Sequence, residues 1–233
     1  MSIANPLLSS RLLTQLAPYT VAGYALFREI VETDGALPAR IKGLFAAVAA
    51  ITKRDPGLAA RELTRARSQG LTQDEASSGL ILLSSLRGEG VALAYDAVLG
   101  KVYLDDAPPA FAAAPEAVHA APGEAEANFR AYFGTVPPAL ANLLALVPRG
   151  ADAYYLMRKG TIECNRLERK LSELMLVAVL AADYSPMAAT HVKAARSAGA
   201  TEQELAEAVL CAVPSGGIAA WMAVGTLLEV GVE

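Results

Sequence analysis

The sequence predicts an all-α protein, and three observations support that prediction. Apolar residues make up 54% of the 233 residues, whereas only 6% are aromatic. Ala and Leu recur together with Glu, Lys and Arg, which favour helices, and the β-branched and aromatic residues that favour strands are sparse. Pro and Gly breaks and Thr-x-x-Glu capping boxes separate the apolar runs. A chain of this length can bury a substantial core.

The first half of the chain predicts a series of helices separated by sharp breaks. Each break contains Pro or Gly, because Pro lacks the N–H that a helix interior needs and Gly enters turn conformations easily. The pair Gly88 and Gly90 predicts a kink inside the last of these helices. The predicted helices cover residues 9–34 with a break near Pro18, 39–52, 58–68 and 76–99.

The stretch from Leu171 to Leu205 organises the second half. An apolar helix at 171–182 is followed by the break Asp183-Tyr184-Ser185-Pro186 and by a helix that carries His191. Pro suits the first turn of a helix, and the Ser before it can cap that helix. Gly199 then ends the helix, since Gly adopts the left-handed conformation cheaply.

The two halves correspond position by position, which predicts an internal duplication. The capping box Thr72 to Glu75 aligns with Thr201 to Glu204 at an offset of 129 residues. Shared caps at matched positions are harder to obtain by chance than shared alanines. Upstream, an offset of 130 aligns Pro18, Tyr24, Arg28, Leu37 and Leu44 with Pro148, Tyr154, Arg158, Leu167 and Leu174.

This correspondence predicts three segments. A first helical unit covers residues 1–104, a Pro- and Ala-rich linker covers 105–123, and a second unit covers 124–233 and carries His191. His119 lies in the linker, where we expect it to be exposed and to have no role.

Composition excludes several classes of protein. The net charge is −4 and no basic cluster contains interleaved aromatics, so we expect no nucleic-acid partner. The apolar runs are too short or too interrupted to span a bilayer, and the first residues do not resemble a signal peptide, so a soluble cytoplasmic protein is expected. Cys164 and Cys211 form no C-x-x-C pair. Two buried, reduced thiols are the expectation, with a structural disulfide as the alternative.

The second copy resembles the carboxymuconolactone decarboxylase and AhpD-like alkylhydroperoxidase superfamily over residues 167–228. The resemblance depends on Glu173-Leu174, on His191 with Ala195 four residues later, on Gly-Ala-Thr at 199–201 with its capping box, and on the small residues at 215–217. It implies two tandem AhpD-like helical units with internal pseudo-twofold symmetry. It also implies a homo-oligomer, a trimer by analogy with the family's trimers and hexamers.

The sequence departs from both motifs of that family. In the peroxidase branch, a C-x-x-C motif places cysteines seven and four residues before the His, and here these positions hold Tyr184 and Met187. Neither residue can form a thiolate or a disulfide. The Glu-Trp pair of the decarboxylase branch would fall on Met187 and Ala188 and is also absent. In the first copy, Glu62 takes the place of His191, so we expect that copy to be structural.

The resemblance implies a catalytic set of His191, Glu173 and Tyr184. His191 can serve as general acid or base, the alternative being an imidazole held by a backbone carbonyl. Glu173 resembles the family's proton-relay Glu and can fix the His tautomer, unless it only favours the start of its helix. Tyr184 can donate a hydrogen bond to a substrate, or it covers the core. Met187 and Asp183 are expected to line the pocket.

Three functions remain open. The first is an enzyme without a cofactor or metal that performs acid/base chemistry of the decarboxylase type on a small organic acid or lactone. The second is a non-catalytic binding or scaffold protein that keeps the fold. The third, ranked last, is a thiol peroxidase that uses Cys164 or Cys211.

Overall fold

The computed structural model describes residues 5–103 and 118–231, and every regular element in these residues is a helix. The prediction of an all-α fold is therefore confirmed. The chain forms two compact units, one from residues 1–106 together with 166–233, and the other from residues 107–165.

The first six helices follow the predicted order. Helix α3 has the predicted bounds, but the helix predicted at 76–99 is two separate helices rather than one kinked helix. Gly88 causes the break because it adopts a φ of 77°, in the left-handed region. The helices are α1 (Arg11–Leu16), α2 (Pro18–Glu32), α3 (Ala39–Thr52), α4 (Pro56–Ser68), α5 (Gln73–Leu86) and α6 (Glu89–Tyr103).

Three helices with a small core of their own form the unit at 107–165. They are α7 (Glu124–Phe133), α8 (Pro138–Leu146) and α9 (Pro148–Glu163). Buried Phe129 and Tyr155 belong to this core, and the ring of Phe129 lies 5.6 Å from that of Tyr154.

The boundaries of the two compact units differ from the predicted segment boundaries at 104 and 123. The compact units are defined by spatial contacts, whereas the predicted segments are defined by correspondence in sequence. The division into segments at 104 and 123 therefore stays a prediction. Of the predicted linker at 105–123, residues up to 117 lie outside the described part. His119 is exposed, as expected.

The remaining helices belong to the compact unit formed by residues 1–106 and 166–233. They are α10 (Arg169–Ala182), α11 (Ala188–Ser197), α12 (Glu202–Leu210), α13 (Val213–Gly216) and α14 (Ala219–Val224), followed by a 3₁₀ turn at Gly225–Leu227. Both predicted capping boxes form, with Thr72 and Thr201 each accepting a hydrogen bond from the backbone three residues later. Within the described ranges, no helix has the length and hydrophobicity that crossing a membrane requires.

Helices α3 and α10 form the centre of the core and pack against each other. From Ala39 to Ile51, every residue of α3 except Arg40 is buried, and so is most of α10 from Glu173 to Ala182. Both helices are rich in Ala, whose small side chain lets helix backbones approach closely. A helix buried on nearly all sides must pair the polar groups that it carries.

Matched positions in the two copies make matched contacts. Glu75 of the first capping box pairs with Arg40, and its counterpart Glu204 pairs with Lys170. The loops before α3 and α10 also make reciprocal bonds. Ala36 donates its N–H to Glu207 on α12 at 2.9 Å, and Arg166 donates its N–H to Ser78 on α5 at 3.2 Å, the residues being counterparts. These contacts support the duplication, while the pseudo-twofold axis stays a prediction.

A buried ion pair joins the first half of the chain to the second. The ammonium of Lys42 on α3 is 1% exposed and donates to Glu207 on α12 at 2.9 Å. The same carboxylate accepts the backbone N–H groups of Ala36 and Leu37 at 2.9 and 3.0 Å. Burial would raise the pKa of Glu207, but these hydrogen bonds and the ammonium outweigh it and lower that pKa.

We predict that Glu207→Gln destabilises the fold by about 3–5 kcal/mol at pH 7, because it leaves the Lys42 ammonium buried without its counter-charge. Since the pKa of Glu207 is lowered by folding, its contribution is present above the unfolded value of about 4.3 and is lost as the pH falls through the folded value. Urea unfolding of both proteins at pH 7 and pH 3 measures this difference.

The matched control is Glu126→Gln, which removes an exposed carboxylate that pairs with Arg130. We expect that variant to change the free energy of unfolding by less than about 1 kcal/mol. An equal effect of the two substitutions would show that the Lys42 pair does not hold the two halves together.

Candidate active site

The candidate site lies where α10 and α11 pack against each other. The turn between these helices spans residues 183–187, as the Pro-containing break predicted. Helix α11 begins at Ala188, so Ser185 does not cap it directly. Instead, the hydroxyl of Ser185 accepts a hydrogen bond from the backbone N–H of Met187 at 3.3 Å, inside the turn. Helix α11 thus begins two residues later than predicted, a difference that is common at helix ends.

Glu173 on α10 and His191 on α11 form a hydrogen-bonded pair. Nδ1 of the imidazole lies 2.8 Å from Oε2 of Glu173. The side chains of Glu173 and His191 are only 7% and 16% exposed. Because an ionised carboxylate can only accept hydrogen bonds, Nδ1 must carry the hydrogen.

This pairing determines what the other ring nitrogen can do. With Nδ1 protonated, Nε2 of neutral His191 has a free lone pair, and no side chain or backbone group in the described ranges bonds to it. In the protonated imidazole, Nε2 becomes a donor while the bond to Glu173 remains. The pair can therefore take up or release a proton at Nε2 without reorganising.

Tyr184 lies in the turn between the two helices and is held by a contact of its hydroxyl. That hydroxyl donates to the backbone carbonyl of Gly216 at 2.6 Å, so its hydrogen is not available to a substrate in this arrangement. The backbone of Tyr184 has a φ of 56°, an unusual value for a bulky residue. Its ring is 44% exposed. The expected role as a hydrogen-bond donor therefore requires the bond to Gly216 to break.

The two expected pocket residues differ in their surroundings. The side chain of Met187 is half exposed, next to α11. Asp183 ends α10, and its carboxylate forms an ion pair with Arg87 at the end of α5. Burial lowers the pKa of the Arg87 guanidinium. The ion pair with Arg87 thus neutralises the charge of Asp183.

Two cations that sequence reasoning missed come from the first copy. The ammonium of Lys53 lies 4.7 Å from the centre of the Tyr184 ring, and Arg87 pairs with Asp183. One feature of the sequence could have pointed to these cations. Lys53 and Asp183 are counterparts at the offset of 130, and each lies at the end of a central helix. The approach of the segments that follow α3 and α10, however, depends on how these two helices pack.

The cysteines give little support to thiol chemistry. Both are free, which rules out the alternative of a structural disulfide. Cys211 is fully buried, and burial raises the pKa of its thiol to about 12, so the nucleophilic thiolate does not form near neutral pH. Cys164 was expected to be buried, but it lies exposed at the end of α9.

The first copy replaces the imidazole by a carboxylate that is neutralised. Glu62 is fully buried and accepts hydrogen bonds from Arg28 at 2.9 Å and from Arg65 at 3.2 Å. The guanidinium groups of Arg28, Arg65 and, at 3.5 Å, Arg61 surround this carboxylate, so its charge is balanced within the protein. Among the described residues, no group of three or more His, Cys, Asp or Glu side chains is placed to hold a metal ion.

The fold and the Glu-His pair define an all-helical protein with an acid/base pair between two packed helices. Residues 148–229 match the model of the carboxymuconolactone decarboxylase family. This match lies in the second half of the chain and includes Glu173 and His191.

A solved structure has a similar fold. It is the 1.70 Å crystal structure of a candidate gamma-carboxymuconolactone decarboxylase subunit from Burkholderia xenovorans LB400. The TM-score is 0.61 and the sequence identity is 24%, over 96% of this chain and 91% of that chain. No curated protein matches the sequence.

We predict that Glu173 sets the tautomer of His191. In the wild type, ¹⁵N NMR at a pH where the imidazole is neutral should show Nδ1 protonated and Nε2 unprotonated. In Glu173→Ala, the preference should shift towards the Nε2-protonated form, because Nδ1 loses its acceptor. His119, the other His of the chain and an exposed one, serves as the internal reference. Identical tautomers in both proteins would contradict the role of Glu173.

Proposed function

We propose that this protein is an acid/base enzyme of the decarboxylase type, acting on a small organic acid or lactone that bears a carboxylate. One observation carries the proposal, namely the 2.8 Å bond between Nδ1 of His191 and Glu173, which leaves Nε2 as the reactive nitrogen. The family match over residues 148–229 and the name of the similar crystal structure favour the same reaction class.

The proposed step is a proton transfer from His191 to carbon. As the C–C bond to the carboxylate breaks and CO₂ leaves, its electron pair stays on a carbon that is conjugated to a carbonyl or lactone group. Nε2–H of the protonated imidazole then delivers its proton to that carbon, and the ring becomes neutral. The carboxylate of Glu173 stabilises the charged imidazole before the transfer and keeps Nδ1 protonated afterwards. Water restores the proton on Nε2.

Lys53 supplies a positive charge beside Tyr184. Its ammonium lies above the Tyr184 ring at 4.7 Å, and Lys53 forms no ion pair with the residues that the structure describes. A carboxylate that approaches along Tyr184 would meet this ammonium first. Asp183 does not oppose it, because Arg87 neutralises that carboxylate. We assign to Lys53 the binding of the substrate carboxylate, and to Tyr184 and Met187 the wall of the pocket.

We predict that His191→Gln lowers the rate of CO₂ release by roughly 10²–10⁴-fold, the usual contribution of a general acid. The assay measures CO₂ release from a panel of small lactone carboxylic acids at pH 7. Glu173→Gln should lower kcat by a smaller factor, since His191 remains but its orientation is less well held. His119→Gln is the matched control and should keep full activity.

Two results would contradict this proposal. Full activity of His191→Gln would place the chemistry elsewhere. A correctly folded wild type that releases no CO₂ from any member of the panel would favour the scaffold alternative instead.

We predict that Lys53→Met raises KM for the best substrate of that panel by roughly fivefold, the size of a partly exposed ion pair. Its kcat should stay nearly constant, because Lys53 touches the carboxylate and not the carbon that is protonated. Arg54→Met removes the neighbouring exposed cation and is the control. Equal increases in KM in both variants would show that the overall positive charge of this region, and not a specific contact of Lys53, attracts the substrate.

A further inference from the structure

The proposed reaction does not use a cleft that is lined mainly by residues of the first copy. It has a volume of about 720 Å³, within the range of sites for small molecules, and lies at the start of α4. Leu58 and Pro214 contribute apolar surface to its lining. Gly57, in the first turn of α4, also lines the cleft and leaves it open because it has no side chain.

Some hydrogen-bond donors of this cleft have no acceptor among the described residues. Arg61 lines the cleft with a side chain only 22% exposed, and in the described ranges its guanidinium makes no hydrogen bond, its nearest acid being Glu62 at 3.5 Å. Nδ2 of Asn5 is buried and also lacks a partner in these ranges. The hydroxyl of Tyr24 likewise has none there. Burial of the Asn5 donor without an acceptor is costly, so a ligand that accepts hydrogen bonds would be stabilised here.

Among the described residues, Asp55 is the one acid that lines the cleft, and one of its carboxylate oxygens already accepts a hydrogen bond. Oδ1 of Asp55 accepts the backbone N–H of Leu58 at 2.9 Å and caps α4. The positive end of the helix also stabilises this carboxylate. Arg61, whose ion pair with Glu62 is long at 3.5 Å, is the cation that lines the cleft.

The cleft adjoins the position that corresponds to His191. Tyr24 and Leu58 line the cleft, and four residues after each, on the same helix faces, come Arg28 and Glu62. Glu62 is the counterpart of His191 in the first copy. Nη1 of Arg28 and Oε1 of Glu62 are both buried without a hydrogen-bond partner in the described part of the chain. The first copy thus keeps an opening beside this position, with a charged pair in place of the imidazole.

We infer that this cleft binds a small organic carboxylate with an apolar body. The guanidinium of Arg61 matches a carboxylate through two parallel N–H bonds, and the amide of Asn5 and the hydroxyl of Tyr24 supply further donors. Leu58 and Pro214 contact the apolar body. The site binds without catalysing, since it has no counterpart of the Glu-His pair. This inference does not depend on the activity proposed for His191.

Benzoate is the probe, and benzamide, which has the same shape without the charge, is the comparison. Isothermal titration of the full chain should show benzoate binding at least about ten times more tightly than benzamide, as a charge-assisted bidentate contact implies. Arg61→Gln should weaken benzoate binding by at least about tenfold. Arg54→Gln removes a nearby exposed charge that does not line the cleft, and it should bind as the wild type does.

A second variant tests the cleft without changing its charge. A Cβ on Gly57 would meet only Oδ1 of Asp55, at an ordinary contact distance of 3.4 Å, so Gly57→Leu fits the helix and fills the opening. It should abolish benzoate binding while the midpoint of thermal unfolding stays that of the wild type. His191→Gln should leave benzoate binding unchanged, which separates this cleft from the candidate active site.

Two outcomes would overturn the inference. One is the absence of benzoate binding to the wild-type protein at 20 mM, on the order of the weakest affinities a functional site shows. The other is binding that persists in both Arg61→Gln and Gly57→Leu, because benzoate would then occupy another part of the protein. Loss of CO₂ release in His191→Gln with benzoate binding intact would support both proposals independently.

Discussion

The burial of α3 and α10 is the constraint on which the rest of the structure depends. Each helix is enclosed on nearly all sides, and each carries a charged side chain into that enclosure. An unpaired charge in such a place costs several kcal/mol, so both must find a partner inside. Lys42 of α3 finds Glu207, and Glu173 of α10 finds His191. The packing of the core therefore keeps Glu173 and His191 paired in the absence of a substrate.

The two copies meet the same constraint in different ways. In the first, buried Glu62 is neutralised by Arg28 and Arg65, which both donate to its Oε2. In the second, the imidazole of His191 shares one nitrogen with Glu173 and keeps the other. A guanidinium stays charged at any physiological pH, whereas an imidazole exchanges its proton near neutrality. The second copy thus retains a group suited to proton transfer, and the first retains one suited to holding structure and charge.

The first copy nevertheless contributes to the second copy's site. Lys53 and Arg87 both belong to the first half of the chain, and both reach the turn that follows α10. One charge lies above Tyr184 and the other neutralises Asp183. The pairing of the two central helices thus determines the charge around the candidate active site as well as the stability of the core.

Much of the fold and part of the candidate site could be predicted from local signals in the sequence. Caps, prolines and glycines act within a few residues, so the bounds of α3, the two capping boxes and the break before α11 follow directly from the sequence. His191 and Glu173 were found through a resemblance that depends on spacing along two neighbouring helices. Their bond at 2.8 Å needs only that these helices pack together.

The tertiary structure alone decided the contacts between residues far apart in the chain. Nothing local in the sequence joins Lys42 to Glu207, the Tyr184 hydroxyl to Gly216, or Lys53 to the Tyr184 ring. Each depends on how whole helices are oriented, which is set by the packing of many small apolar side chains at once. The sequence by itself predicted the caps and breaks that bound the helices and the candidate residues His191 and Glu173, because these signals act over a few neighbouring residues. Only packing decided which charges surround them, and which donors in the first copy remained without a partner.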